Sequence, residues 1–173
     1  MKQLLLNKIE NREIVVGVIG LGYVGLPLAV EKAKAGFKTI GFDEQEVKVK
    51  MVNEGHNYIG DVVDKDLKRL VEEGRLSATS DFSFIKDVDF IAICVPTPLD
   101  IHQEPDLSCV RESTKSISKY LTKNTMVVLE STTYPGTTEE LVKPILEEGS
   151  GLKCGEDFYL GFSPERVDPG NLI

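Results

Sequence analysis

Three glycines in the stretch GLGYVG have the spacing that lets a main chain hold a phosphate. Gly20, Gly22 and Gly25 spell G-x-G-x-x-G, with Tyr23 and Val24 between the last two. In that reading Gly20 makes a tight turn and Gly22 lets the backbone approach a pyrophosphate. Gly25 lets the following helix pack closely on the strand before it. Unpaired amides at the helix N-terminus then meet the phosphate charge. Pro27 suits the first turn of that helix, where a missing N–H costs little. A glycine-rich turn used only for packing is the alternative. Asp43 stands 23 residues after Gly20 and closes the next apolar run, GFD. A carboxylate there accepts a hydrogen bond from a ribose 2′-hydroxyl and repels a 2′-phosphate, which predicts NAD over NADP. Asp43 also opens DEQE, a capping box with Glu46, and one carboxylate can serve both roles.

Other polar groups stand where further apolar runs stop. CVPTP (94–98) ends one of them, and its prolines keep the chain extended. Val95 and the Thr97 hydroxyl would border the same crevice. Thr132 places a hydroxyl after VVLE, and Glu165 ends the last run, DFYLGFSPE. Together they could position a water and shuttle a proton, with ordinary turn chemistry as the alternative. Thr137 and Glu140 read as a second capping box. Lys48 and Lys50 read, on pattern alone, as solvated helix charges.

Positioning these groups requires alternating elements. The runs 14–20, 38–43, 75–80, 88–95, 125–132 and 157–165 read as strands. The stretches 23–35, 44–55, 63–74, 107–121 and 136–149 read as helices, with Pro144 an oddity inside the last. Continuous apolar strands need cover on both faces, hence parallel pairing and right-handed crossovers. The expected fold is α/β: a Rossmann-type doubly wound domain over 14–173, after an extension at 1–13. Its sheet would have six mostly parallel strands with helices on both faces. Such sheets take ligands beyond the carboxyl ends of their strands, where every candidate above falls.

Composition narrows the classes. A net charge of −8 leaves no basic face for nucleic acid or an anionic membrane. No apolar run approaches the ~20 residues of a membrane span. MKQLLLNKIENRE lacks a signal-peptide core and cleavage site, so a cytoplasmic location is expected. Cys94, Cys109 and Cys154 have no C-x-x-C spacing, and His56 and His102 are isolated, so no metal site is expected.

In order from Val15 to Asn171, GLGYVGLPLA, GFD, CVPTP, ESTTYPGTTEE and SPERVDPGN resemble the UDP-glucose/GDP-mannose dehydrogenase family. SPERVDPGN is most similar to the branch acting on UDP-N-acetylhexosamines, such as UDP-N-acetylglucosamine or UDP-N-acetylmannosamine. The resemblance implies oxidation of a sugar C6 alcohol to a carboxylate by two hydride transfers to NAD, through a thiohemiacetal and a thioester on a cysteine. It places Asp43 and Lys48 at the adenosine ribose, and Thr97 and Thr132 near the NAD, with Val95 and Glu165 beside them. Thr132 and Glu165 would assist the water and proton transfers, and Arg166 would face the nucleotide sugar. UDP-glucose dehydrogenases often carry a second glutamate four residues after the first; here Pro169 stands there, with Asp168 beside it.

The family's nucleophilic cysteine lies in a second half, and none of the three cysteines here has its context. The chain therefore reads as the N-terminal domain of a longer, homo-oligomeric enzyme, inactive by itself. An apolar patch and an open sheet edge would be left at the sixth strand. Two other readings of the glycine motif remain. One is the NAD domain of a hydroxy-acid or 6-phosphogluconate-type dehydrogenase. The other is a non-catalytic nucleotide-binding domain or an adenosine-cofactor methyltransferase.

Overall fold

The run VVGVI becomes a central strand, β1 (Val15–Ile19), and all but its first residue are buried. Val16 and Val18 face one helical layer and Ile19 the other, as a pleated strand requires. The computed structural model describes residues 2–99, 101 and 103–164. In it β1 is joined by β2 (Lys38–Phe42), β3 (Leu76–Thr79), β4 (Phe90–Ile93), β5 (Met126–Leu129) and β6 (Tyr159–Phe162). The order is β3-β2-β1-β4-β5-β6, and every pair is parallel. Ile19 is level with Phe42 on one side and Ile93 on the other, so three carboxyl ends finish together. From β1 the chain winds outward to β3, then returns to β4 on the opposite side. Crossovers part at that point and open a crevice.

One face of the sheet carries α2 (Gly25–Lys34), α3 (Glu46–Asn53) and α4 (Asp64–Glu72), which bury Leu26, Val30, Val52 and Leu67 against Val16, Val18 and Leu76. The other carries α5 (Ser108–Ser118), α6 (Lys143–Ser150) and a 3₁₀ turn, Phe82–Asp87. These bury Val110, Ile117, Leu146 and Ile85 against Ile19, Ile91 and Ile93. Among the described residues no helix is long and apolar enough to cross a membrane.

Several elements differ from the sequence reading. Residues Lys2–Glu10 form a helix, α1, where no element was expected. Leu5 anchors it, and Lys8 Nζ meets Asp89 Oδ1 at 2.6 Å while Asp89 Oδ2 accepts the Val15 N–H at 3.0 Å. The expected helix over 136–149 is a π-helical turn, Thr138–Val142, followed by α6. Pro144 is the second residue of α6, a place where a helix start leaves N–H groups unpaired in any case. The Thr137–Glu140 capping box does not form. Thr137 Oγ1 instead donates back to the Tyr134 carbonyl at 2.9 Å, and Gly136 supplies the positive φ of the turn, 97°. β6 is an edge strand whose Phe162 stays 49% exposed.

Candidate cofactor site

The glycine turn is held by its neighbours on three sides. Gly20 has φ 89°, and a side chain on it would meet the Cys94 carbonyl at 2.9 Å, so β1 and β4 can lie this close only with glycine here. A Cβ on Gly25 would overlap the Gly20 carbonyl oxygen, which fixes the approach of α2 to β1. Between them Leu21 turns inward and is wholly buried. Its side chain fills the space over Gly41, where a Cβ would lie 2.6 Å from Leu21 Cδ2.

Gly22 is different. A Cβ there would meet no protein atom within 4 Å, and its φ lies outside the left-handed region. Neither packing nor backbone geometry demands a glycine at this position. The main chain there is left bare and open to an occupant. The space lies at the N-terminus of α2, whose first turn contains no acidic residue. The positive end of the helix is thus left for an anion.

Asp43 immediately follows β2 and is 8% exposed. Its Oδ2 accepts the Leu21 N–H at 2.9 Å and its Oδ1 accepts the Gln45 N–H at 2.9 Å. The sequence reading gave it a capping box with Glu46. The structure gives the N-cap place to Gln45, and Glu46 Oε1 accepts instead from Ser80 Oγ at 2.9 Å. Lys48 Nζ approaches Asp43 Oδ2 at 3.5 Å, so this lysine belongs to the site and is not a remote surface charge. The carboxylate is held by these partners before any ligand arrives, and Asp43 lines the crevice.

Across the switch point, the ends of β4 and β5 are stitched together. Ser131 Oγ donates to the Val95 carbonyl at 2.7 Å, and Thr97 Oγ1 to the Thr132 carbonyl at 2.6 Å. The Thr97 hydroxyl therefore keeps only acceptor capacity for a ligand. Two adjoining clefts result, sharing Gly20, Asp43, Lys48, Val95 and Pro96. One runs under Phe82 toward Cys109 and Glu112 on α5. The other runs past Gly22, Tyr23 and Val24 to Thr132. Of the candidates, Gly25 supports the turn from beneath, and the rest that are described line these clefts. Glu165 and Arg166 lie outside the described residues.

Sequence reasoning missed Tyr58 and Ile59, which line the second cleft, and Phe82, Cys109 and Glu112 in the first. An aromatic residue in the polar stretch HNYIGD was the one available signal. Among the described residues no cluster of His, Cys, Asp or Glu could hold a metal ion.

A dinucleotide fits this geometry. A pyrophosphate fits over Gly22 at the helix N-terminus, and an adenosine ribose at Asp43 would place its base in the cleft under Phe82. The nicotinamide end would lie toward Thr97 and Thr132. NAD, when bound, would accept a hydride at its nicotinamide ring, and the residues of this cleft would be the ones to orient that ring.

Comparison with known proteins agrees. Residues 14–173 match the model of the UDP-glucose/GDP-mannose dehydrogenase family, NAD binding domain. The chain is 44% identical over 163 residues to Protein CapL of Staphylococcus aureus, across 94% of this chain and 37% of that protein. It is 41% identical over 160 residues to UDP-N-acetyl-D-glucosamine 6-dehydrogenase of Pseudomonas aeruginosa, across 92% of this chain and 37% of that one. Among solved structures, the NDP-N-acetyl-D-galactosaminuronic acid dehydrogenase of Methanosarcina mazei superposes with a TM-score of 0.86 at 37% identity, over 96% of this chain and 38% of that one. The chain thus spans little more than a third of the length of each of these relatives. With the glycine turn, the carboxylate at the carboxyl end of the second strand and the family match in agreement, the chain belongs to the UDP-glucose/GDP-mannose dehydrogenase family, as its NAD-binding domain.

Proposed function

We propose that this chain supplies the NAD half of a nucleotide-sugar 6-dehydrogenase that oxidises the C6 alcohol of a UDP-N-acetylhexosamine to a uronate. The observation that carries the cofactor part is the bare space over Gly22 beside an aimed Asp43. The names of the relatives carry the sugar part. In this reading residues 14–173 are the cofactor domain and α1 is an added N-terminal helix. The parent enzyme is a cytoplasmic homo-oligomer. Gly20, Gly22, Tyr23, Val24 and Gly25 form the pyrophosphate turn, and Asp43 and Lys48 hold the adenosine ribose. Val95, Thr97, Thr132 and Glu165 flank the nicotinamide end. Thr132 and Glu165 assist water and proton transfer, and Arg166 faces the nucleotide sugar.

In this reading the thiol that traps the aldehyde is supplied by the other half of the enzyme and not by Cys94, Cys109 or Cys154, as the family resemblance implies. Cys94 is buried at the end of β4. Burial pushes the Cys154 thiol up, against the opposing pull of Lys143, the reverse of the shift that activates a thiol. This chain with NAD and UDP-N-acetylglucosamine is accordingly expected to form no NADH, followed by absorbance at 340 nm. Steady NADH production would overturn the half-enzyme reading.

The cofactor reading is tested by calorimetric titration with NAD and NADP. NAD should bind and NADP should bind more weakly. Asp43→Ala should lower NAD affinity about 10- to 100-fold, the worth of a hydrogen bond to a charged group. Retention of the wild-type NAD affinity in that variant would remove Asp43 from the site.

A further inference from the structure

We propose that Tyr58 is a positioning residue that sets the preference for NAD over NADP by holding the Leu21 segment against which Asp43 is aimed. The inference rests on the reading of Asp43 as the ribose carboxylate. Tyr58 Oη donates to the Leu21 carbonyl at 2.8 Å. On the other side of the same residue, the Leu21 N–H donates to Asp43 Oδ2 at 2.9 Å. Leu21 is thus gripped at its carbonyl by Tyr58, at its amide by Asp43 and at its side chain by the space over Gly41. Every peptide bond of the described chain is trans, so fixing the Leu21 carbonyl also fixes the direction of the Gly22 N–H, which points the opposite way. One phenol therefore sets two things at once: the amide of the residue with the bare space, and the partner of the ribose carboxylate.

The segment that carries Tyr58 is built to hold it still. Asn57 Nδ2 donates to the Ile59 carbonyl at 2.8 Å and to the Val62 carbonyl at 2.6 Å, while Asn57 Oδ1 accepts the Ile59 N–H at 2.8 Å. Ile59 and Val62 are buried against the α2, α3 and α4 layer. The stretch 56–62 is therefore a strap pinned at both ends, with Tyr58 projecting from it to the glycine turn. Burial, with the Asp43 charge acting in the same direction, pushes the Tyr58 phenol above its ordinary range, so it is a protonated donor at neutral pH.

A strap that merely supports the fold would affect both cofactors alike. A positioning role would not. NAD uses the hydrogen bond from its 2′-hydroxyl to Asp43, and NADP meets the repulsion of the same carboxylate. Freeing Asp43 weakens the first and relieves the second. The ratio of the two affinities is therefore the informative quantity. A partly unfolded sample lowers both apparent affinities by one factor and leaves the ratio unchanged.

The experiment titrates NAD and NADP into the wild-type chain, Tyr58→Phe, Asn57→Asp and Asp43→Ala. Leu146→Ala, in the opposite helical layer, is a control for general destabilisation. Tyr58→Phe keeps the ring and removes only the donor. NAD affinity should fall about 5- to 10-fold, the worth of one lost hydrogen bond, and NADP affinity should fall less, because the loosened Gly22 amide is offset by relief from Asp43, so the ratio drops. Asn57→Asp removes both strap donors and should shift the ratio the same way. Leu146→Ala should leave it at the wild-type value. An unchanged ratio in Tyr58→Phe and Asn57→Asp, with collapse in Asp43→Ala, would overturn the role of Tyr58 and leave the ribose reading intact. An unchanged ratio in Asp43→Ala would overturn the ribose reading, and this inference with it.

Discussion

Gly22→Val is expected to lower NAD affinity by at least about 100-fold while leaving the thermal unfolding midpoint of the unliganded protein in place. The two halves of this expectation have separate causes. Stability is unaffected because a Cβ at Gly22 meets no protein atom within 4 Å, and the backbone there is not left-handed. Replacing glycine at such a position even removes some freedom from the unfolded chain, worth up to about 1 kcal/mol. Binding is lost because the branched side chain fills the space that a pyrophosphate needs at the start of α2. Charge-assisted hydrogen bonds contribute about 1.5–3 kcal/mol each, so losing two costs 100-fold or more. Calorimetry with NAD and a melting curve on the same sample read both halves. A lowered midpoint would mean that Gly22 packs against something in solution. Wild-type affinity would mean that the phosphates lie elsewhere.

The strands of this fold were legible because a doubly covered parallel sheet demands continuous apolar runs, and VVGVI, FIAI and MVVL meet that demand. Their ends differ from the sequence reading by a few residues, because ladder pairing and not apolarity decides where a strand stops. The glycine turn and Asp43 were legible because a spacing in sequence maps directly onto one turn and one strand end. Long-range hydrogen bonds left no such trace. DEQE matches a capping box, yet Asp43 Oδ2 is drawn to the amide of Leu21, 22 residues away. Tyr58 stands between two helices in a polar stretch that reads as an ordinary connection, and its partner is 37 residues distant. In α1 three consecutive leucines gave no helical stripe, since only Leu5 is buried while Leu4 and Leu6 face out. Local pattern thus located what each segment is. Which side chain tunes which backbone group was set by how the segments meet.

Gly25→Ala should have the opposite signature to Gly22→Val: stability falls, and NAD binding falls with it. The added methyl would overlap the Gly20 carbonyl oxygen, reach 2.9 Å from the Gly20 carbonyl carbon and press on Val18 Cγ1 at 3.3 Å. The first two are backbone atoms in a turn already fixed by the contact of Gly20 with Cys94, so no flexible side chain can give way. Relief requires α2 to lift from β1, loosening Leu26, Ala29 and Val30, all fully or nearly fully buried. Overpacking of this kind costs about 1–3 kcal/mol or more, a large share of the ~5–15 kcal/mol that holds a domain together. For a chain of this size the unfolding midpoint should drop by roughly 5–10 °C. Binding suffers because the same shift re-aims the amides of the turn, so saturating NAD should not restore the lost midpoint. Melting curves with and without NAD make the test. A wild-type midpoint would mean that α2 stands farther from β1 than the structure places it. A lowered midpoint fully restored by NAD would mean that the turn keeps its shape while the helix moves.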